Sequence, residues 1–530
     1  MKFSRRIIGL ASAVGVACAV TAGTASAQED KITVRSIPIG NLKVLDPIWT
    51  TAYITRNHAY MVWDTLFATD ADGAIQPQMV DSWETSDDGL TWTFTLRDGL
   101  KWHDGAPVTA EDCVASIKRW GARDGMGQTL MDFTDSVEAV DDKTFKLVLN
   151  EPVGFVLDAF GKIDSNVPFM MPKRIAETDP NEQIEEIIGS GPFRFVADEW
   201  VPGSEVVYEK FEDYVPRDEP PSLAAGGKVV HIDRVESVYM PDAGVAMAAL
   251  GSGEVDLHES PPTELLPMVE GNPDVTLAPN DPLGYQLFMV INHLNPPFDN
   301  KAARQALQWG TKQSDYMATI VGNPDRWQEC GAMYGCGTSS ESHAGEEPVL
   351  TLDVERAKTL LEEAGYDGSP IILMDPADNS TLHPAALVAA QSLRRIGLTV
   401  EVQAMDWSTL TQRRASKASV GEGGWNVFVT NSTIAGISNP LIHSFAKNCD
   451  KAWYGWPCEE KVPDLIRNWA LESNSDTRAE LVDQIQELNY QNVTYIPLGQ
   501  YRPVVAYRKE IQDVIPSPSL FYWGLKKSTD

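Results

Sequence analysis

Apolar and polar positions alternate most regularly at residues 91–97, where Trp92, Phe94 and Leu96 are separated by Thr91, Thr93, Thr95 and Arg97. A period of two predicts a half-buried strand. Asp87-Asp88-Gly89 turns the chain into it, and Asp98-Gly99 and Asp104-Gly105 punctuate the stretch after it. The period then changes. Pro107 and Thr109 open a helix whose inner face is Val114, Ile117 and Trp120. The Thr109 hydroxyl can cap it, and Glu111 and Asp112 face the positive end of its dipole. Residues 136–140 and 144–149 flank Asp141-Asp142-Lys143 and predict a hairpin. Gly189-Ser190-Gly191-Pro192 lets the backbone turn tightly before a strand at residues 193–196.

On either side of this β-rich region the pattern is mixed. A strand starts at Ile32, and a helix is expected over residues 53–66. Residues 243–250 form an Ala-rich helix. An extended run over 276–292 is broken by Asn280-Asp281-Pro282 and resumes at Tyr285. A helix then begins near Asp299, its expected N-cap, with Ala303, Ala306, Leu307 and Gly310 inward. From there helices at 353–364, 384–396 and 406–418 alternate with strands at 370–374, 398–405 and 425–430. That alternation predicts a mostly parallel sheet covered on both faces. Two late helices, near 462–471 and 477–491, precede strands at 495–498, 503–507 and 521–525. The class is therefore α/β in two lobes. Residues 28–280 form lobe I, with a β-rich subdomain at about 67–200; 281–494 form lobe II; 495–530 return to lobe I. The crossovers fall near 279–286 and 491–498.

The N-terminus adds a location. Lys2, Arg5 and Arg6 precede an apolar run from Ile7 to about Val20, and Ala25-Ser26-Ala27 is an A-x-A cleavage site. Residues 1–27 read as a cleavable secretory signal, with Gln28 the first mature residue and the periplasm the expected compartment. The run is shorter than the ~20 residues a membrane span needs. The residues before Cys18, Gly15-Val16-Ala17, lack the Leu usual in a lipobox. Net charge is −32, from 75 acidic and 43 basic residues. This argues against nucleic acid or anionic lipid as a partner and suits a solubilising surface. Of the cysteines left after cleavage, Cys330 with Cys336 and Cys449 with Cys458 are expected to form disulfides in an oxidising compartment. Cys113 reads as a small buried hydrophobe.

Several motifs, in order, carry a resemblance. They are Leu45-Asp46-Pro47; the run from Trp83 through W-T-F-T-L-R, D-G-L-K-W-H-D-G and P-V-T-A-E-D to Asp112; Gly189-Ser190-Gly191-Pro192-Phe193; Ala249-Leu250 through Gly253-Glu254-Val255-Asp256; and P-F-D-N-K-A-A-R-Q-A-L from Pro297 to Leu307. Together they resemble periplasmic solute-binding proteins of the dipeptide, oligopeptide and nickel type (family 5, cluster C), the capture subunits of ABC importers. The resemblance implies a two-lobed, type II periplasmic-binding-protein fold with an extra β-rich subdomain in lobe I. It also implies a monomer that binds a small-molecule or peptide ligand and docks on permease and ATPase subunits. Arg304 matches the family's Arg and is read as structural.

No catalytic motif competes. The chain has no G-x-S-x-G, H-E-x-x-H, Walker A or C-x-x-C, and its eight histidines are scattered. No catalysis, cofactor or metal is expected. The resemblance puts the ligand among Trp49, Trp407 and the segment from Trp425 through Thr430, Asn431, Ser432 and Thr433. Tyr285, where the extended run resumes, is a further candidate contact. Dipeptide-binding members hold the ammonium with an Asp of this segment and the carboxylate with an Arg expected around residues 375–383. This chain has amides and hydroxyls in the first place and no Arg in the second. A buried charge without a partner is costly, so a free dipeptide held by both termini is disfavoured. A peptide or peptide-like small polar solute, such as a longer peptide held by its backbone, is the expected ligand. The alternatives are an oligosaccharide or opine-like conjugate gripped by amides and Trp faces or, in another class, an exported carbohydrate-active enzyme.

Overall fold

The computed structural model describes residues 31–472 and 474–528. The signal segment, its cleavage site and Gln28 lie outside the described residues. Among the described residues no helix is long and apolar enough to cross a membrane.

Two large sheets organise the chain. The first has seven strands, in the order Val275–Pro279, Val504–Arg508, Leu257–His258, Thr33–Ile37, Arg234–Val238, Glu205–Lys210, Phe193–Phe195. The second has six, in the order Trp327–Gln328, Ile496–Tyr501, Tyr285–Ile291, Val427–Thr433, Ile371–Pro376, Val400–Met405. A separate four-stranded antiparallel sheet contains Thr91–Leu96, paired with Val80–Thr85 on one side and Thr144–Leu149 on the other. Phe94 and Leu96 are buried there, and Trp92 packs against the same core. The helix Ala110–Arg123 comes next. Thr109 closes a full capping box with Asp112, satisfying backbone N–H groups at the helix start.

This helix supports the loop beneath it. Arg119 forms a bidentate pair with Asp46 at 2.7 and 3.1 Å, both buried. Asp46 also accepts the N–H groups of Ile48 and Ile184. The Leu45-Asp46-Pro47 loop is thereby fixed, and it leads into the helix Tyr53–Val62. At that helix's far end Gly191 donates its N–H to the Val62 carbonyl at 2.9 Å. A Cβ on Gly189 would lie 1.9 Å from the Val62 carbonyl oxygen, and one on Gly191 would lie 2.7 Å from that of Met61. The Gly-Ser-Gly-Pro motif is thus a close backbone contact against a helix end, not a ligand loop.

The second sheet departs from the expected pattern. Only Ile371–Pro376 with Val400–Met405 and with Val427–Thr433 pair in parallel. Tyr285–Ile291 runs antiparallel to both of its neighbours. The sheet is mixed because its middle strand enters straight from the first sheet, not through a crossover helix. The late strand is Ile496–Tyr501, and it pairs with Tyr285–Ile291 in this sheet. All six of its residues are buried, which requires neighbours on both faces. The chain therefore re-enters the first sheet after Tyr501, at Arg502-Pro503, and not at 495. The two connections run side by side: Asn280 donates its N–H to the Pro503 carbonyl at 3.0 Å.

Smaller expectations also shift. The helix Lys301–Trp309 is capped by Asn300, not Asp299. The helix after Asp406 is Trp407–Arg413 and stops short of 418. Residues 521–525 form no strand; Phe521 and Trp523 stack at 4.2 Å, buried beneath Tyr60. Arg304 is buried and donates to the Phe298, Asp299 and Asn492 carbonyls, so it closes a loop around the start of its own helix.

Candidate ligand-binding cleft

Between the two sheets lies a cleft enclosing about 1000 Å³ of empty space, including the part open to solvent. The first-sheet side contributes the entry to the Tyr53–Val62 helix, Asp164 and Glu259. The second contributes Tyr285, the end of the Val427–Thr433 strand, the start of the Leu382–Arg395 helix, and Trp407, Arg414 and Trp453. A concave site lined by polar and apolar groups from both sides is the default place for a small ligand.

The walls touch directly. The Tyr53 hydroxyl accepts the Thr433 N–H at 2.7 Å and donates to Ser432 Oγ at 3.3 Å. Thr433 Oγ1 donates to Asp164 at 2.9 Å. Gly436 passes so close to that carboxylate that a Cβ would lie 2.2 Å from it. Nearer the rim, Lys43 pairs with Asp406 at 2.7 Å, and the Tyr239 hydroxyl donates to Asp378 at 3.1 Å. Asp378 in turn accepts the Trp407 N–H at 2.6 Å. Burial raises Asp406, but hydrogen bonds from Lys43 and Thr409 outweigh it and hold the carboxyl at about 2.

The floor is charged. Arg56 is 3 % exposed and Asp164 6 %; they pair at 3.0 Å. Arg56 also donates to Asn57 and the Pro518 carbonyl, and its guanidinium stands 4.1 Å from the centre of the Tyr53 ring. Beside it Glu259 accepts from Asn57 and from the Ile39 N–H, and burial pushes its carboxyl up. Asp281, in the first connection, is buried with one oxygen unpartnered, and burial raises it to about 6. His58, under this floor, is held neutral by burial, at about 3.

The sequence candidates separate into two groups. Tyr285, Trp407, Thr430, Asn431 and Ser432 lie on the cleft wall. Asn431 donates to the Tyr501 hydroxyl at 2.6 Å, and Tyr501 stacks on Tyr285 with centroids 5.8 Å apart. Trp425 and Trp49 are not on that wall. Trp425 is 0 % exposed, packed against Phe428 and Trp456 in the core of the second sheet. It precedes the strand at the end far from the cleft, where an aromatic fills the core. Trp49 turns toward the Ala110–Arg123 helix, with the Arg123 guanidinium 5.2 Å from the ring centre. Both disulfides, Cys330–Cys336 and Cys449–Cys458, are formed. Cys113 is buried, and burial pushes its thiol up. Among the described residues no group of three or more His, Cys, Asp or Glu is placed to hold a metal.

The sequence shows that the two charged anchors of dipeptide-binding members are missing from their expected segments, but it does not show which other charged residues reach the cleft. Asp164, Glu259 and Arg414 all line it. Asp164 and Glu259 sit in short connections with no periodic signal. Arg414 had one: it follows Leu410 by four residues and Trp407 by seven, so it shares the inward face of its helix.

Comparison with known proteins agrees with this architecture. Residues 74–441 match the family described as bacterial extracellular solute-binding proteins, family 5 Middle. A probable peptide ABC transporter periplasmic-binding protein of Sinorhizobium fredii is 39% identical over 539 residues, covering 100% of both chains. A glutathione-binding protein of Pectobacterium atrosepticum is 27% identical, covering 79% of this chain and 77% of that one. Among solved structures, a periplasmic binding protein of Helicobacter pylori in complex with the peptide STSA superposes with a TM-score of 0.78 at 20% identity. It covers 94% of this chain and 98% of that one. The agropinic acid complex of a periplasmic binding protein from A. tumefaciens R10 gives a TM-score of 0.79 at 21% identity, covering 94% and 99%. At such identities these structures report the fold, which is the type II periplasmic-binding-protein fold with an added β-rich subdomain.

Proposed function

We propose that this chain, which belongs to the family 5 bacterial extracellular solute-binding proteins, is the ligand-capturing component of an ABC importer for peptides or peptide-like solutes. The observation that carries the reading is the cleft itself. It is lined from both sheets and bridged by Tyr53 to Ser432 and Thr433 and by Asp164 to Thr433. A ligand there contacts both sides only when they are together, so binding shifts the balance toward a closed form. The paired connections at 280–284 and 502–503 are the natural hinge. Lobe I then comprises the first sheet and the four-stranded subdomain, and lobe II the second sheet and its helices. The closed form docks on a permease whose ATPase subunits drive uptake, and the chain works as a periplasmic monomer after loss of residues 1–27.

Within the cleft Trp407 supplies an apolar face, and Thr430, Asn431 and Ser432 supply donors and acceptors for a peptide backbone. The relative at 39% identity, named as a probable peptide transporter component, supports peptide over sugar. The test is a thermal-shift and calorimetric panel of di- to pentapeptides, opines and oligosaccharides on the protein from Gln28 onward. A ligand at about 100 times its Kd should add about 2.7 kcal/mol of stability. Peptides should lead the panel; an oligosaccharide leading it would overturn the ligand class.

A further inference from the structure

Arg414 is the anomaly of the cleft. Its side chain is buried, with 2 % of the residue exposed, yet it lines the cavity wall. Among the described residues it makes no ion pair within 4.0 Å, although acidic residues outnumber basic ones 75 to 43 in the chain. One guanidinium nitrogen donates to Thr51 Oγ1 at 2.9 Å, across the cleft, while Nε has no acceptor. Around it stand three aromatic faces, with ring centres at 4.5 Å for Tyr454, 5.2 Å for Trp453 and 5.8 Å for Trp407. Such a cage holds the cation in place but does not neutralise it. Four other buried cations have a carboxylate: Arg56 has Asp164, Arg119 has Asp46, Lys162 has Asp124 and Lys228 has Asp64. Arg304 also lacks one, but the Phe298, Asp299 and Asn492 carbonyls surround it, whereas Arg414 has an Nε with no acceptor. Burial pulls Arg414 below its ordinary range, since the charge lacks a compensating anion.

We propose that Arg414 is an anion anchor, and that the ligand of this cleft must bring a carboxylate to the space between Trp407, Trp453 and Thr51. A guanidinium fork suits a carboxylate in shape and charge, and desolvation makes the site intolerant of a neutral group in its place. The inference rests on the cleft being the capture site for peptide-like solutes, and it narrows that class to acids. A free C-terminus and an acidic side chain supply the same chemistry.

The experiment uses the protein from Gln28 onward, as wild type, Arg414→Met and, as a control on the neighbouring position, Arg413→Met. Arg413 donates to the Gly423 and Gly424 carbonyls. Probes are trialanine, trialanine amide, Ala-Glu-Ala amide and maltotriose, read by calorimetry and melting temperature. Wild type and Arg413→Met should bind at least one of the two acids roughly a hundredfold or more tighter than trialanine amide. Which acid wins tells a terminal from a side-chain carboxylate. In Arg414→Met that preference should fall to within a few-fold, and without ligand this variant should melt at or above wild type, because an uncompensated charge has gone. Equal binding of acid and amide by wild type would overturn the anchor and leave peptide capture standing, as would an acid preference that survives in Arg414→Met. A ligand-free Arg414→Met that melts well below wild type would make the cation structural and also overturn it. If no probe binds wild type while Arg414→Met still melts at or above it, the anchor is supported and the peptide reading fails.

Discussion

The Tyr53 hydroxyl accepts the Thr433 N–H at 2.7 Å, and so joins a helix under the first sheet to the last residue of a strand in the second. Replacement by Phe keeps the ring but leaves a buried N–H without that acceptor, at a cost of about 1–3 kcal/mol in the closed form. Tyr53→Phe should therefore weaken ligand binding roughly tenfold or more. On the proposed hinge motion the contact is lost on opening, so the ligand-free melting temperature should move little by comparison. Calorimetry and thermal melts on the same preparation check both halves.

Two of the candidate tryptophans should behave oppositely. Trp425 is core, so Trp425→Ala should cost about 3–5 kcal/mol of stability. Trp407 is half-buried on the cleft wall. Trp407→Ala should change stability by about 1 kcal/mol and reduce ligand affinity instead. Chemical denaturation separates them.

Asp281 should give the first connection a pH signature. Its folded-state pKa, about 6, lies above the ordinary 3.8. The folded protein therefore binds this proton more tightly than the unfolded chain. Stability from this group falls as pH rises from about 4 through 6, and the penalty is complete above that. Asp281→Asn keeps an oxygen for the Leu283 N–H, which Asp281 accepts at 3.0 Å. It should gain about 1–3 kcal/mol at pH 7.5 and nothing near pH 4. A gain independent of pH would point to some other cause.

Thiol chemistry offers a simple check on the cysteines. Cys113 is buried and the other four described cysteines are paired. The native mature protein should show no rapid reaction with a thiol reagent, and the denatured, unreduced protein should show one thiol. Removing the short Cys330–Cys336 loop by double serine substitution should cost about 2 kcal/mol.

Where local periodicity set the structure, the sequence was readable. The Thr91–Leu96 strand and the Thr109-capped helix follow from alternation and capping chemistry alone. The membership of Ile496–Tyr501 in the second sheet did not, because nothing local records which sheet a buried strand joins. The same limit applied to the site. Thr430, Asn431 and Ser432 could be located by their segment, while Trp425, a few residues earlier, is buried by the strand's direction into the core. Asp164 and Glu259 reach the cleft only through pairings over one hundred residues away in sequence, Asp164 with Arg56 and Glu259 with Asn57. Arg414 was legible in helical phase, but a charged residue beside Arg413 at a helix end reads first as solvated.

The central claim is that one ligand binds between the two sheets, on Trp407 and Asn431. Calorimetric titration of the best-binding peptide into wild type and into Trp407→Ala/Asn431→Ala tests it most directly, with the circular dichroism of both compared first. Binding should be one-to-one in wild type and weakened at least a hundredfold in the double variant, with its fold unchanged. Undiminished one-to-one binding by a well-folded double variant would place the ligand elsewhere and contradict the account.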